Sequence, residues 1–333
     1  MVVAPGFVDL QVNGIGAIDV AGATGADWDA FDLAVLAQGV TTWCPTVVTA
    51  PLHALEASLA GIATAAGRPG RGRPTIAGAH LEGPFLGVHG AHRPELVRTE
   101  VDLTWLDSLG DVVRILTLAP ELPGAIDAIA ALSGRGVLVS LGHSACTAEV
   151  AIDATEAGAR LVTHLGNAMG PLHQRAPGLL GVALADDRLS VSVIADLVHT
   201  HPVFVRMAFT AKGAGGVALV TDAVAVPGAA PHRGELQGLT APPRLSDGTL
   251  AGSVLTMARA VSNVVGHSDV ALADAVRAAS STPARLLGLD DRGSIEPGRR
   301  ADLVALEPTA DDAWRVVSVW VAGDEAWSAP DES

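Results

Sequence analysis

The stretch Thr75-Ile-Ala-Gly-Ala-His-Leu-Glu-Gly-Pro84 contains the pattern on which the fold prediction depends. A short, uncharged apolar run ends in His80 and Glu82, and Gly83-Pro84 then stops further strand pairing. Continuous apolar runs of this length are typical of parallel strands, which are buried on both faces. A carboxylate directly after such a strand is either a metal ligand or a structural helix cap, and this stretch alone does not separate the two.

The same kind of run recurs along the chain and alternates with alanine-rich amphipathic segments of helical length. Eight strand–helix units in about 290 residues predict an α/β fold, a (β/α)8 TIM-like barrel, rather than a doubly wound sheet. A glycine fingerprint after the first strand would favour the doubly wound sheet, but Gly14-x-Gly16 lacks the third glycine. The predicted strands are Gly6 to Val12, Val40 to Val48, Thr75 to Leu81, Val112 to Leu118, Gly136 to Leu141, Arg160 to His164, Leu189 to Ala195 and Gly216 to Thr221.

Nearly every predicted strand ends in a residue that can bind a metal or transfer a proton. In a barrel the carboxyl ends of all strands meet on one face, so we expect these residues to share a pocket although they are far apart in sequence. In chain order they are Gln11 and Asn13, His80 and Glu82, His143, His164, Asp196 and His199, and Asp222.

The pattern changes after about residue 288, where two β-rich segments contain turn signals. These segments run from Gly293 to Leu306 and from Trp314 to Gly323. We therefore predict two parts, a metal-dependent barrel over residues 4–288 and a small C-terminal β appendage over residues 289–328.

The composition excludes several classes of protein. Hydrophobic residues make up 49% of the 333 residues, which suffices for a large core, whereas 3% are aromatic and Tyr is absent, so a base-stacking surface is not expected. The formal charge of −15 opposes nucleic-acid binding, although a few local arginines could hold one small phosphorylated ligand. Two cysteines cannot form a disulfide framework, and no secretory signal or membrane-length apolar run is found. We expect a cytoplasmic protein without nucleic-acid or membrane partners.

Two histidines and one glutamate at strand ends suit an open catalytic zinc site. Glu82, His143 and His164 follow three different predicted strands, and three protein ligands leave a position for water, whose pKa on zinc can fall to about 7. Asp222 would accept a proton from that water and return it to a leaving nitrogen. The alternatives are hydrogen-bonded core histidines and an aspartate that begins a turn. Taken together, the four residues favour hydrolysis.

Six short segments carry a resemblance to a known family. They are Pro5-Gly-Phe-Val-Asp9, His80-Leu-Glu-Gly-Pro-Phe85, Gly142-His-Ser144, Thr163-His-Leu-Gly-Asn-Ala-Met169, Val220-Thr-Asp-Ala223 and Ala251-Gly-Ser253. In this order the segments resemble the N-acetylglucosamine-6-phosphate deacetylases of the amidohydrolase superfamily, from residue 5 to about residue 305. One such segment is a weak signal, whereas six in order are specific.

The resemblance implies a role for each matched residue. Glu82, His143 and His164 would bind one divalent ion per subunit, with Zn2+ expected and Fe2+ or another divalent ion as the alternative. Asp222 would be the acid-base catalyst and His92 would polarise the acetamide carbonyl, the alternative for His92 being a solvated loop residue. The residues implied to contact the phosphorylated amino sugar are Ala91, His92, Asn167, Ala168, Arg175, His199, Gly252 and Ser253, with Arg175 and His199 as candidates for its phosphate.

Three features depart from the family pattern. Gln11-Val-Asn13 stands where many amidohydrolases carry His-x-His for a second metal, and because neutral amides bind divalent cations weakly, we predict a single-metal centre. Leu197 replaces a family glycine, which changes the expected shape of the sugar pocket. The family normally has about fifty residues before the segment that begins at Pro5, so we expect an incomplete β-sandwich appendage that lacks its N-terminal partner strands.

The sequence thus predicts metal-dependent hydrolysis of N-acetyl-D-glucosamine 6-phosphate to D-glucosamine 6-phosphate and acetate, in amino-sugar catabolism. The resemblance also implies a homodimer. One alternative is deacetylation of another N-acetylhexosamine 6-phosphate, such as N-acetylgalactosamine 6-phosphate, because these motifs do not distinguish one epimeric hydroxyl. The other alternative is a truncated, non-catalytic phosphosugar-binding protein, which need not retain all of Glu82, His143, His164 and Asp222.

Overall fold

Strands and helices alternate along the chain in the computed structural model, which describes residues 1–226, 242–311 and 313–330. In chain order the strands are β1 (Val2–Pro5), β2 (Phe7–Val12), β3 (Gly14–Ile15), β4 (Ile18–Asp19), β5 (Val40–Val48), β6 (Thr75–Ile76), β7 (Ala79–Glu82), β8 (Val113–Leu118), β9 (Leu138–Leu141), β10 (Leu161–Val162), β11 (Ser190–Val193), β12 (Val217–Leu219), β13 (Leu303–Pro308), β14 (Trp314–Val321) and β15 (Asp324–Ser328). The α-helices are α1 (Asp27–Leu36), α2 (Leu52–Ala66), α3 (Leu103–Ser108), α4 (Ala125–Gly134), α5 (Ala148–Ala157), α6 (Gly178–Ala185), α7 (Pro202–Lys212), α8 (Met257–Ser268), α9 (Leu272–Ala279) and α10 (Ser281–Leu286).

Eight parallel strands form a barrel in the order β2-β5-β7-β8-β9-β10-β11-β12. The first strand meets the end of the last, because Val12 forms a parallel bridge with Ala223 and the Asp222 amide donates to the Gln11 carbonyl at 2.9 Å. Helices connect successive strands, as the right-handed crossover of a parallel sheet requires. The predicted TIM-like barrel is confirmed, and each of the eight predicted strands overlaps one of these.

The helices pack on the barrel through regularly spaced apolar residues. In α2 the buried side chains are Leu55, Leu59, Ile62 and Ala65, whose spacing of three and four residues places them on one face. The barrel strands, in contrast, are covered on both sides. In β7, for example, all four residues are buried. Among the described residues, no helix is long and apolar enough to cross a membrane.

Outside the barrel, a four-stranded antiparallel sheet forms in the order β1-β13-β14-β15. It contains the predicted C-terminal β appendage. We expected no N-terminal partner strand in this sheet, but the structure contains one: in β1, Val2 pairs with Leu306 and Pro5 with Leu303. The reason is that barrel strand β2 begins only at Phe7, which leaves the preceding residues free to pair with β13. The limits 4–288 and 289–328 stay predictions.

Candidate active site

The predicted site residues follow the carboxyl ends of four different barrel strands. Glu82 is the last residue of β7, while His143 and His164 each lie two residues beyond β9 and β10. Asp222 lies three residues beyond β12. All four side chains are buried, at 3–8% exposure. The barrel therefore brings together residues that are up to 140 positions apart, from Glu82 to Asp222.

Glu82 is the centre of this group, since one of its oxygens contacts both histidines. Its Oε1 lies 3.2 Å from His143 Nε2 and 2.9 Å from His164 Nε2. Burial alone would raise the pKa of Glu82, but hydrogen bonds from the two imidazoles lower it well below its usual value. Burial alone would lower the pKa of His164, and the hydrogen bond and charge of Glu82 raise it instead.

The donor set has the chemistry of a divalent-metal site. His143 Nδ1 donates to the Val88 carbonyl at 2.8 Å, so a metal ion would bind this imidazole through Nε2, in place of the proton that Nε2 donates to Glu82. Ligand atoms of Glu82, His92 and His143 lie within 4.8 Å of one another, and His164 contacts the same glutamate oxygen. No Lys or Arg is found among the described residues that line this cavity, so a cation would partly balance its three carboxylates, Asp19, Glu82 and Asp222.

Asp222 is held by the two amides that replace the His-x-His pair. Gln11 Nε2 donates to Asp222 Oδ1 at 3.0 Å and to Glu82 Oε2 at 3.2 Å, and Asn13 Nδ2 donates to Asp222 Oδ1 at 2.8 Å. Both amides therefore act as hydrogen-bond donors to carboxylates. Burial, with the charge of Glu82, raises the pKa of Asp222 to about 6.

His92 approaches the group from the loop after β7. Its ring centroid lies 4.5 Å from that of His143, and its Nδ1 lies 2.8 Å from Thr49 Oγ1. Burial lowers the pKa of His92 to about 4, so the ring is neutral near pH 7 and Nε2 is the nitrogen left for substrate or metal. The ring therefore lies beside the ligand atoms of Glu82 and His143, on the loop from which it was predicted to contact the substrate.

His199, in the cavity wall, forms a dyad with Asp196. His199 Nδ1 donates to Asp196 Oδ2 at 2.7 Å, and Asp196 Oδ1 accepts from the backbone amides of Val198 and His199. Burial opposes ionisation of Asp196, but the bond from His199 lowers its pKa below the ordinary value. The carboxylate therefore fixes the orientation of the His199 ring at the cavity wall.

These residues surround a cavity of about 440 Å3. Most predicted substrate-binding residues lie in its wall, whereas Arg175 is exposed in a loop outside the described lining. Ser253 lies below the cavity, where its Oγ donates to the Thr221 carbonyl at 2.5 Å. The predicted residues in the wall are Asn13, Glu82, Ala91, His92, His143, His164, Asn167, Ala168, His199, Asp222 and Gly252.

Two strand-end residues differ from the sequence-based expectation. Thr49, which hydrogen-bonds His92, directly follows β5 and so occupies a strand-end position, although a hydroxyl group there is a weak signal of function. His80, considered as a strand-end donor, instead lies inside the barrel, bonded to the Leu10 carbonyl at 2.9 Å and to Thr117 Oγ1 at 2.7 Å. Alternation of side chains along β7 sends His80 and Glu82 to the same face but to different depths.

Comparisons with known proteins agree with this geometry. The profile of the Amidohydrolase family matches residues 2–326. N-acetylglucosamine-6-phosphate deacetylase of Danio rerio is 38% identical, over 98% of this chain and 84% of that protein. N-acetylgalactosamine-6-phosphate deacetylase of Escherichia coli O157:H7 is 37% identical, over 97% and 87%. A variant of the N-acetyl-D-glucosamine-6-phosphate deacetylase of Mycobacterium smegmatis, solved with N-acetyl-D-glucosamine 6-phosphate, superposes with a TM-score of 0.85 at 35% identity, over 97% of this chain and 86% of that one.

Proposed function

Because the chain belongs to the amidohydrolase family, alongside N-acetylglucosamine-6-phosphate deacetylases, we propose that it hydrolyses N-acetyl-D-glucosamine 6-phosphate to D-glucosamine 6-phosphate and acetate. The convergence of Glu82, His143, His164 and Asp222 on one cavity carries the proposal, because metal-assisted acetamide hydrolysis uses a metal-binding donor set beside a proton-transfer group. The reaction belongs to amino-sugar catabolism.

Glu82, His143 and His164 would hold one divalent ion, and Zn2+ is the ion that we propose, with Fe2+ suited to the same donors. His143 is pre-oriented for this by its Nδ1 bond to the Val88 carbonyl. When bound, the ion supplies Lewis-acid polarisation and neutralises charge in the cavity. The side-chain amides of Gln11 and Asn13 donate hydrogen bonds to Asp222 and Glu82. Because they act as donors to carboxylates and not as metal ligands, they support a single-metal centre.

Asp222 would accept a proton from the attacking water and deliver it to the departing amine nitrogen. Its Oδ1 already accepts bonds from Gln11 and Asn13, so Oδ2 is the oxygen available for the proton. A carboxyl group with a pKa of about 6 is ionised at neutral pH yet can hold a proton during the reaction.

His92 would donate from Nε2 to the acetyl oxygen and stabilise the charge that develops there. This requires Nδ1 to accept the Thr49 hydroxyl proton, since a neutral imidazole carries one N–H. Thr49 would therefore set the tautomer of His92.

The phosphate end of the substrate would be bound by His199 and by Arg175. The described wall of the cavity contains no Arg or Lys, so a guanidinium must come from a loop such as that of Arg175 or from a second subunit. We propose a homodimer on this basis, and a cytoplasmic location because Cys44 and Cys146 are both free thiols. Light scattering of the purified protein tests the dimer. The kinetics of Arg175→Gln on phosphorylated and unphosphorylated sugar test the phosphate contact.

Acetate release from N-acetyl-D-glucosamine 6-phosphate by the zinc-loaded protein tests the proposed function. Asp222→Asn should lower kcat by about 10²–10⁴-fold while the metal content is unchanged. Undiminished turnover in this variant would remove Asp222 from the mechanism, and no acetate from the metal-loaded wild type would remove the function.

The galacto epimer is the second substrate to measure, because a relative at 37% identity bears the name of that activity. We expect a higher kcat/KM for the gluco substrate. A higher value for N-acetylgalactosamine 6-phosphate would reassign the substrate but retain the chemistry.

A further inference from the structure

A second, larger cavity of about 820 Å3 lies at the opposite end of the barrel from the candidate active site. Its wall includes residues at or just before the amino ends of β8 to β12, among them Arg114, Leu138, Arg160, Ser190 and Gly216. The candidate active site lies beyond the carboxyl ends of the same strands. In a parallel barrel these two ends face away from each other, so the cavities are separate.

The second cavity is strongly basic in an acidic protein. Five basic side chains line it against one acid, Asp187, although acidic residues outnumber Lys and Arg by 36 to 21 in the whole chain. Positive charges clustered in a concave site create a local potential that the net charge does not reveal. The five are Arg114, Arg160, Arg188, Lys212 and Arg285.

Four of these cations are fixed by backbone carbonyls and make no ion pair within the described residues. Arg114 Nη2 donates to the Leu287 carbonyl at 2.8 Å, and Arg160 Nη1 donates to the carbonyls of Thr155 at 2.8 Å and Ala159 at 2.6 Å. Lys212 Nζ donates to the Asp186 carbonyl at 2.6 Å, and Arg285 Nη2 to the Gly215 carbonyl at 2.7 Å.

Carbonyl bonds orient these cations without neutralising them. Arg188 differs, because the Asp186 carboxylate binds its guanidinium at 2.6 Å. The remaining four positive charges are held around one cavity, at a cost in mutual repulsion that an anion would relieve. Each guanidinium still has unused N–H donors in the planar arrangement that matches phosphate oxygens.

We propose that this cavity binds a small organic molecule that carries two phosphate groups. Two phosphates bear roughly three to four negative charges near pH 7, which is close to the net charge of about +3 that the four cations without an ion pair and Asp187 give this cavity. The cavity is nearly twice the volume of the candidate active site, and its wall also contains Val137, Leu138, Leu286 and Leu287. Phosphate groups alone would leave these apolar side chains uncovered. We therefore expect the ligand to carry an organic part, such as a nucleoside or a sugar, that covers them.

Isothermal titration calorimetry of the metal-loaded protein tests this proposal. The probes are inorganic phosphate, pyrophosphate, ADP and fructose 1,6-bisphosphate, where the last two distinguish a nucleoside diphosphate from a sugar bisphosphate. We expect saturable binding that is at least tenfold tighter for a bisphosphorylated probe than for inorganic phosphate. Binding should survive a saturating amount of glucosamine 6-phosphate, which occupies the other end of the barrel.

Arg160→Gln with Arg285→Gln should weaken that binding at least tenfold and leave deacetylase activity unchanged. The matched control is Arg206→Gln, an exposed arginine on α7 outside the cavity, for which we expect less than a twofold change. If the double variant does not fold, Arg160→Gln alone should give a loss of at least threefold. Absence of saturable binding, equal affinity in the cavity variant, or displacement by glucosamine 6-phosphate would each overturn the proposal.

Discussion

Asp222 combines two properties that a proton-transfer group needs. Its burial and the charge of Glu82 raise its pKa to about 6, while the amides of Gln11 and Asn13 hold Oδ1 in place. A carboxyl group exposed to solvent would have neither the shifted pKa nor the fixed position. The side chain is therefore poised to change protonation state close to neutral pH.

The pH dependence of kcat/KM should reflect this carboxyl group. As the pH falls through the pKa, Asp222 becomes protonated and can no longer accept a proton, so kcat/KM should decrease on the acidic side. A bound divalent cation favours the carboxylate, so the midpoint should lie at or below about 6. Rates measured from pH 4.5 to pH 8 check this, and an acidic limb centred above pH 7 would contradict it.

Thr49 offers a test of the role of His92 that leaves the imidazole intact. Thr49→Val removes the hydroxyl that contacts His92 Nδ1 with little change in volume. We expect kcat to fall by about tenfold, which corresponds to about 1.4 kcal/mol, because the tautomer of His92 is no longer set.

Thr49→Ser is the matched control, since it keeps the hydroxyl. It should restore most of kcat, and both variants should contain as much metal as the wild type. Equal kcat in Thr49→Val and the wild type would mean that the hydroxyl has no part in positioning His92.

At the scale of elements, the strand ends place their functional side chains through unusual backbone conformations. His143, His164 and Asp222 have φ values of 50°, 33° and 48°, in the left-handed region that L-residues seldom adopt. Each such residue costs on the order of 1–3 kcal/mol, which the surrounding hydrogen bonds must offset. Leu197, at φ 67°, adopts the same region, which is the conformation that favours the glycine expected there from the resemblance.

Gly142 shows how closely the elements approach at these strand ends. A Cβ at Gly142 would lie 2.8 Å from Thr117 Cγ2 and 3.0 Å from Thr163 Cβ, both on neighbouring strands or their ends. Gly142→Ala should therefore lower the free energy of unfolding by about 1–3 kcal/mol and disturb the adjacent His143. Urea denaturation and metal content measure the two effects.

Gly134→Ala provides the comparison for this substitution. Gly134 is the last residue of α4, and a Cβ there would meet nothing within 4 Å. The change should be neutral or stabilising by up to about 1 kcal/mol. A loss as large as that of Gly142→Ala would show that strand-end packing is not the cause.

At the scale of the whole molecule, the two ends of the barrel differ in charge. The carboxyl end collects Glu82 and Asp222 in a cavity whose described wall has no Lys or Arg, while the amino end collects five basic side chains. Opposite potentials at the two ends would direct a cation to one cavity and an anion to the other.

Metal removal should affect the whole molecule through linkage. A ligand that binds only the folded state at 100 times its Kd stabilises it by about 2.7 kcal/mol, so treatment with a chelator should lower Tm and abolish acetate release. One equivalent of Zn2+ per chain should restore both. Elemental analysis that finds two tightly held ions per chain would refute the single-metal centre, which rests on the use of the Gln11 and Asn13 amides as donors.

The barrel was predictable because parallel strands covered on both faces appear in the sequence as short apolar runs. The polar residues after those runs were equally visible, and Glu82, His143, His164 and Asp222 come together as the strand directions require. Arg175 was named from resemblance alone, and the described cavity wall does not include it.

The residue types at the strand ends can be read from the amino-acid sequence, because hydrophobic patterning and side-chain periodicity are local properties of the chain. How those residues meet is visible only in the folded barrel: Gln11 donates to two carboxylates, Thr49 contacts His92, and basic residues gather at the opposite end. Hydrogen bonds and electrostatic potentials depend on distances between side chains, and the closure of the barrel sets those distances.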